Sequence, residues 1–511
     1  MRWQVALSLL ILAGGAPARA VAAPEGQMTW AVHVSLPPTF FEPAETPSVI
    51  SPFMVLYALH DALVKPMPGN AMAPTLAESW SAAKNGLTYD FVLRKGVRFH
   101  NGDPVTAEDV KFSFERYRGG GATLLKSRVA AVEVVDASHV RFRLKQPWPD
   151  FMTFYATPAT GAAWIVPKKY VEKVGDEGFK KAPVGAGPYR FVSFTPGVEL
   201  VLEANEAYWR KTPSVKRLVF KSVPDDSSRL AQLKRGEADV VYSIRGPLGD
   251  EVRRTPGLIL KPVSPTFTEW LFFPEQWDPK SPWADQRVRL AASLAIDRKT
   301  INEAEYLGFG KLTANIVPRD FAFFWPAPLY PYDPARAKRL LAEAGYPRGF
   351  DAVEISCDLV YAPVVEAVVN YLQAVGIRAR VRGLERAAFY KMDQEKVFKH
   401  LVRSGSAAPG NAATRIEAFA VSGGIRAYGG YPDVDGLYRE QANELEPKRR
   451  ESLLFKIQQL MHERVMFAPL LEPAFLNGVG PRVEESGLGL IVGHLYSAPY
   501  EDLKLKPSAR P

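Results

Sequence analysis

Cys357 is the one cysteine among 511 residues. An intramolecular disulfide is therefore excluded, and so is a lipid anchor on a cysteine at a leader cleavage site. Cys357 lies in the apolar, strand-like run Val353-Glu354-Ile355-Ser356-Cys357 and is expected to be a small core residue. Beyond the N-terminus no apolar run is long enough to cross a bilayer. The seven histidines, His33, His60, His100, His139, His400, His462 and His494, include no helical i, i+4 pair. Neither a metal site built from side chains alone nor a cofactor is expected. There is no Gly-x-Ser-x-Gly elbow, and acidic pairs such as Asp225-Asp226 follow Pro224 in a turn context. No catalytic residues are assigned, and the chain is read as a non-enzyme. Lysine and arginine give a net charge of +9 but form no stripe. The cluster Lys448-Arg449-Arg450 follows Pro447 and reads as a solvated helix start, so nucleic acid is not an expected partner.

The N-terminus has the features of an export signal. Arg2 is followed by an apolar run from Val5 to Ala13 and by small residues at Ala18-Arg19-Ala20 or Ala20-Val21-Ala22. The run is about nine residues, against the roughly 20 that a spanning helix needs. Residues 1–22 are therefore expected to be a cleaved signal peptide, leaving a free, untethered protein in the periplasm. Cleavage leaves about 489 of the 511 residues, too many for one core and enough for two or three lobes. There is no tandem repeat and no low-complexity linker.

The most specific stretch is Leu76 to Arg116, LAESWSAAKNGLTYDFVLRKGVRFHNGDPVTAEDVKFSFER. Leu87 to Leu93 alternates as a half-buried strand, and Asn101-Gly102-Asp103-Pro104 is a turn. Thr106 with Asp109 predicts a capping box, using the shorter acid, at the start of a helix. Pro183-Val184-Gly185-Ala186-Gly187-Pro188-Tyr189 leads into a strand, so its glycines serve a tight backbone path and not a phosphate. Leu230 to Val240 has the helix, C-cap glycine and strand pattern. Trp283 to Arg298 carries apolar residues on one helical face, and Tyr332 to Tyr346 predicts another capped helix.

These blocks, in this order, resemble extracellular solute-binding protein family 5, the dipeptide- and oligopeptide-binding components of bacterial ABC importers. The resemblance implies an α/β, two-lobed periplasmic-binding-protein-like clamp of type II, with an extra subdomain inserted in the first lobe. It places the first lobe at 23–50, 185–265 and 468–511, the insertion at 51–184 and the second lobe at 266–467. It also implies a monomer that passes a small-molecule solute to an inner-membrane ABC permease.

A clamp of this kind buries its ligand between lobes, and a micromolar ligand supplies about 8 kcal/mol to drive closure and ordering. Two segments are expected at the cleft. The first is Thr266 to Phe273, with Phe267, Glu269 and Trp270 as contacts; Trp270 either stacks on the ligand or plugs the lobe core. Where relatives place an Asn, this sequence has Phe273-Pro274. The second is Leu401 to Glu417, with Ser404, Gly405, Asn411 and Arg415, followed by Tyr428. Peptide-binding relatives have Gly-Trp-x-x-Asp here, the Asp pairing with the peptide α-ammonium. In this sequence Ser406 follows Gly405, Pro409 or a neighbour takes the Asp position, and no carboxylate lies between Arg403 and Thr414. A buried ammonium without a counter-charge costs several kcal/mol, which argues against ordinary peptides. Arg415 is suited to fork onto a carboxylate or phosphate, or else to pair with Glu417. Asp435 is read as the cap of a helix beginning at Gly436.

Three functions follow. The leading one is a receptor for a small non-standard solute, such as a modified peptide, opine-like conjugate, amide or glycoside. The second is a peptide receptor that takes its carboxylate from elsewhere, for instance Glu269. The third is a periplasmic chaperone on the same scaffold.

Overall fold

A computed structural model describes residues 23–46, 51–156, 160–408 and 410–507. The signal peptide expected over residues 1–22, and Pro409, lie outside the described residues. Two sheets organise the chain. The first has seven strands in the order Tyr189–Thr195, Glu199–Ala204, Val215–Ser222, Glu25–Val32, Val240–Ile244, Phe475–Val479, Ile259–Val263. Its centre is parallel, because Glu25–Val32 pairs in parallel with both Val215–Ser222 and Val240–Ile244. The second has six strands in the order Lys311–Leu312, Phe467–Glu472, Thr268–Phe272, Leu401–Ser406, Phe350–Asp358, Ile377–Leu384. There Phe350–Asp358 runs parallel to both of its neighbours.

The two sheets are joined by two adjacent strands. Ile259–Val263 pairs with Phe475–Val479 in the first sheet, and their continuations Thr268–Phe272 and Phe467–Glu472 pair again in the second. The return crossing thus falls at Pro473-Ala474. The boundary expected at 467/468 is too early, because Phe467–Glu472 still pairs with Thr268–Phe272 in the second sheet.

Residues 77–144 carry a four-stranded antiparallel sheet, Ala77–Ala82, Thr88–Leu93, His139–Leu144, Val129–Asp136. Its buried aromatics Phe91 and Phe142, with Tyr155 of the following helix Phe151–Tyr155, are continuous in one core with Trp30 and Phe220 of the first sheet and with Tyr500, so this insertion packs as part of the first lobe. Locally encoded features form where the sequence places them. Tyr89, Phe91 and Leu93 are the buried side of strand Thr88–Leu93. The Asp109 carboxylate accepts from the Thr106 amide at 2.9 Å and its hydroxyl at 2.7 Å, opening helix Ala107–Arg116. Gly236 ends helix Asp226–Arg235 in the left-handed conformation, φ 72°.

Three local expectations are corrected. The helix expected over 283–298 is shorter, Gln286–Leu294, because Asp285 caps it and Asp297 starts a new helix, Arg298–Tyr306. Asp435 is not a cap: the helix already begins at Pro432, and Asp435 accepts from the Ser422 amide at 2.9 Å. The Lys448-Arg449-Arg450 cluster is not wholly solvated, since Arg450 is buried.

Gly185 and Gly187 do mark a close backbone path. A Cβ at Gly185 would lie 2.0 Å from the Leu59 carbonyl oxygen, and one at Gly187 would lie 2.5 Å from that of Ala58. Two histidines close the same junction. His100 Nδ1 accepts from the Gly185 amide at 3.3 Å while its Nε2 meets the Gly187 carbonyl at 3.0 Å, a pairing that a neutral imidazole with its hydrogen on Nε2 satisfies completely. His60 Nε2 lies 3.0 Å from the Phe41 carbonyl. Burial holds His60 down to about 3 and His100 to about 4.

Two predictions follow from this junction. Gly185→Ala should cost about 3 kcal/mol through overpacking, whereas Gly436→Ala, in open space on a helix, should be neutral or gain about 0.5–1 kcal/mol; chemical denaturation of each variant measures the difference. Because both histidine pKa values are depressed on folding, their stabilisation is complete above the unfolded value of about 6.5 and is lost as pH falls towards 4. Each should add a slope approaching about 1.4 kcal/mol per pH unit in that window. A melting curve flat between pH 6.5 and 5 would contradict this.

Candidate functional site

The carboxyl ends of the parallel strands in both sheets face one another across the hinge, the position where open α/β sheets present ligand sites. The loops after those strands line a cleft of three adjoining compartments. The outer one, about 510 Å³, lies between the insertion (Leu124, Phe154) and the second lobe (Arg415, Glu417, Phe419, Arg426). The middle one, about 60 Å³, is lined by Phe267, Tyr361, Arg386, Tyr390, Arg403, Gly405, Arg426 and Tyr496. It shares Ser406, Ala408 and Arg426 with the outer compartment. The hinge chamber, about 270 Å³, shares Tyr361 and Phe475 with the middle one.

Strand Thr268–Phe272 explains why its residues part company. Side chains alternate across a sheet, so Trp270 and Phe272 enter one core of the second lobe while Leu271 enters the other. Trp270 is 0 % exposed and packs edge-on against Phe419 and Phe467; it is the core plug and not a stacking surface. Glu269 is 0 % exposed. It accepts from the Tyr306 hydroxyl at 2.9 Å and from Arg403 Nε at 3.1 Å, with a second contact from Arg403 Nη2. It lines none of the three compartments, so the expectation that it meets a ligand ammonium is corrected. Arg403 in turn stacks on Tyr361, 3.4 Å from guanidinium carbon to ring centre. Burial opposes its charge, but Glu269 and Tyr361 outweigh it and hold its pKa above the ordinary value.

The remaining expected contacts divide. Phe267, Gly405 and Arg415 line the cleft. Ser404 is buried opposite Trp270 in the strand pairing. Tyr428 packs on Phe272 and its hydroxyl accepts from the Phe398 amide at 3.0 Å. Neither lines a compartment. Asn411 caps helix Ala412–Phe419 and reaches across to the insertion, donating to Asp150 Oδ1 at 2.6 Å. Arg450 grips the other Asp150 oxygen and donates to Gln441 at 3.1 Å. Asp150, Asn411 and Arg450 are all buried, forming a latch between insertion and second lobe.

The middle compartment is rich in guanidinium groups, each backed by an acid. Arg386 lies 3.0 Å from Asp358, and Arg426 lies 3.2 Å from Asp393. Arg415 differs. It is 2 % exposed, sits over Trp270 and Phe321, and donates only to the carbonyls of Ile316 at 3.0 Å and Ala408 at 3.4 Å. No acid lies within 4 Å among the described residues, so the pairing with Glu417 does not form. Burial, reinforced by Arg426, pushes its pKa down to about 9. Other buried arginines without an acid are fully caged: Arg229, Arg289 and Arg298 each make four hydrogen bonds to oxygen atoms. Arg415 makes two, and it lines the outer compartment. Glu417, on the same helix, borders it too; burial pushes its carboxyl up, and the Tyr438 hydroxyl donates to it.

Tyr361, Arg386, Arg426, Tyr496 and the Asp150 latch escaped sequence reasoning. A signal existed for the first two, which directly follow strands Phe350–Asp358 and Ile377–Leu384 at their carboxyl ends.

The family described as bacterial extracellular solute-binding proteins, family 5 (middle region) matches residues 71–426. The glutathione-binding protein GsiB of Salmonella choleraesuis is 30% identical over 326 residues, 61% of this chain and 60% of its own length. The alignment thus spans less than two thirds of that relative. Di/tripeptide-binding protein 2 of Pseudomonas aeruginosa is 28% identical, covering 92% of this chain and 94% of its own. The periplasmic binding protein DppA of Helicobacter pylori, solved with peptide STSA, superposes with a TM-score of 0.80 at 23% identity, covering 94% and 98%. It shares the two-lobed fold.

Asp150→Ala should leave Arg450 buried without its acid in the closed form and so favour opening. The expected cost to the closed state is about 2–5 kcal/mol, seen as a larger radius of gyration by small-angle scattering; unchanged scattering and ligand affinity would exclude the latch.

Proposed function

The chain belongs to family 5 of the bacterial extracellular solute-binding proteins, and we propose that it is the receptor of an ABC importer that closes on a small carboxylate-bearing solute. A modified peptide without a free α-ammonium, or an opine-like conjugate, fits this description. In this reading the protein works as an untethered monomer in the periplasm and delivers the solute to an inner-membrane permease, without bond chemistry.

One observation carries the reading: the half-caged Arg415 at the wall of the outer compartment. A buried cation that lacks a counter-charge costs several kcal/mol. A ligand carboxylate supplies the missing charge through a bidentate pair, and Arg426 beside it adds a second guanidinium. Closure then differs from the open state by the ligand's own contacts, as a clamp requires. The second reading, an ordinary peptide receptor using Glu269, is weakened because Arg403 and Tyr306 already saturate that carboxylate. The chaperone reading has no specific observation in its favour.

Native mass spectrometry of the purified protein should reveal a co-purified acid, and a thermal-shift screen should favour carboxylates over their carboxamides. A ligand at 100 times its dissociation constant should add about 2.7 kcal/mol. Arg415→Met should weaken carboxylate binding about 100-fold, roughly the 2–3 kcal/mol of a charged hydrogen-bonded contact, while the ligand-free melting temperature stays the same or rises. Equal binding of acids and carboxamides would overturn the reading. Recovery of unfolded proteins with no small-molecule response would favour the chaperone.

A further inference from the structure

The outer compartment is the largest of the three, about 510 Å³, and its walls come from two lobes. The insertion supplies Leu124, on helix Ala122–Arg128, and Phe154, on helix Phe151–Tyr155. The second lobe supplies Arg415 and Phe419, on helix Ala412–Phe419, and Ile425 in the chain after it. Asp150 stands directly before Phe151, and its carbonyl accepts from the Phe154 amide at 3.0 Å. Asn411 caps the opposite helix and donates to the Asp150 carboxylate at 2.6 Å. The latch therefore ties together the starts of two wall helices from different lobes, and the compartment is complete only while it holds.

Apolar side chains from four separate elements meet in this space. Phe419 is buried, Leu124 and Phe154 are half-buried, and Ile425 is 47 % exposed. A lone exposed isoleucine is ordinary on a protein surface, but convergence on one concavity with few polar groups is the pattern of a ligand pocket. The polar groups present are mostly engaged. Arg426 pairs with Asp393 at 3.2 Å, and the Tyr438 hydroxyl donates to Glu417. The hydroxyls of Ser127 and Thr414 donate to carbonyls of their own helix starts or turns, Leu124 and Asn411, at 2.8 Å each.

We propose that the outer compartment seats an apolar body, an alkyl or aryl group attached to the solute's acid, and that the insertion selects for it through Leu124 and Phe154. Only the position of the acid rests on the carboxylate reading above. A carboxylate on Arg415 leaves most of the volume to the rest of the solute, and burying that remainder stabilises the closed form because its two walls belong to different lobes. The solute class is then an acylated or arylated monocarboxylic acid, and the insertion acts as a specificity element as well as a latch.

The test uses the mature protein, calorimetry and defined probes: the straight-chain acids from butanoate to octanoate, 3-phenylpropanoate, gluconate as the polyol counterpart of hexanoate, and the matching carboxamides. Affinity should rise about fourfold per added methylene, the ~0.8 kcal/mol of a buried CH2, and hexanoate should bind more tightly than gluconate. Leu124→Ser and Ile425→Ser should each flatten that rise, whereas Val360→Ser, in the hinge chamber, should leave it unchanged. Circular dichroism checks that the variants fold; Ile425 and Val360 are both exposed. The proposal is overturned if affinity does not rise with chain length, if gluconate matches hexanoate, if the rise survives in both Leu124→Ser and Ile425→Ser, if it is lost in Val360→Ser, or if no acid binds. The carboxamides are read separately: carboxamides that bind as tightly as the acids, with the same rise, sink the carboxylate reading and leave the apolar seat standing.

Discussion

The hinge is the constraint on which the rest of this molecule depends. The same two strands lie side by side in both sheets, Ile259–Val263 with Phe475–Val479 on one side and Thr268–Phe272 with Phe467–Glu472 on the other. Each backbone ladder is satisfied within its own lobe, so few hydrogen bonds cross between them. Rotation about Ser264 to Phe267 and Pro473-Ala474 then disturbs little of either core. The carboxyl ends of the parallel strands are brought face to face, and the loops after Val32, Ser222, Ile244, Asp358, Leu384 and Ser406 all end in one cleft. What separates open from closed is a small set of contacts at its rim and whatever lies inside it. A ligand worth about 8 kcal/mol is large on that scale.

The cleft distributes charge unevenly. Guanidinium groups crowd the middle and outer compartments, and most are balanced: Arg386 by Asp358, Arg403 by Glu269, Arg426 by Asp393. Paired this way they shape the wall without inviting a counter-ion. Arg415 is held by two carbonyls, whereas Arg229, Arg289 and Arg298, elsewhere in the chain and also without an acid, each have four oxygens. Glu305, at the hinge end, makes no ion pair within 4 Å among the described residues, although Arg245 acts on it. Burial acts on both, lowering the pKa of one and raising that of the other.

The sequence disclosed much of the fold because its strongest signals are local. Thr106 and Asp109 are three residues apart, Gly236 must adopt φ 72°, and Tyr89, Phe91 and Leu93 alternate along one strand. Contacts within a turn or a strand are encoded by spacing alone. The family likeness extended this to the two-lobed clamp. The errors share one cause. Glu269 and Arg450 were each read from their neighbours in the chain, but their partners lie far away: Arg403 in the adjacent strand, and Asp150, 300 residues distant.

By itself the amino-acid sequence determined the class of fold, the export signal expected at its start, the capped helices and the absence of an acid between Arg403 and Thr414. Tertiary structure alone decided which charges were spent and which were left over. Glu269 and Arg415 look equally available along the chain. Folding seals the first against Arg403 and Tyr306 and leaves the second with two carbonyls beside a cavity. Electrostatic balance at a buried site depends on distances of a few ångströms between residues remote in sequence, and those distances exist only once both lobes have packed.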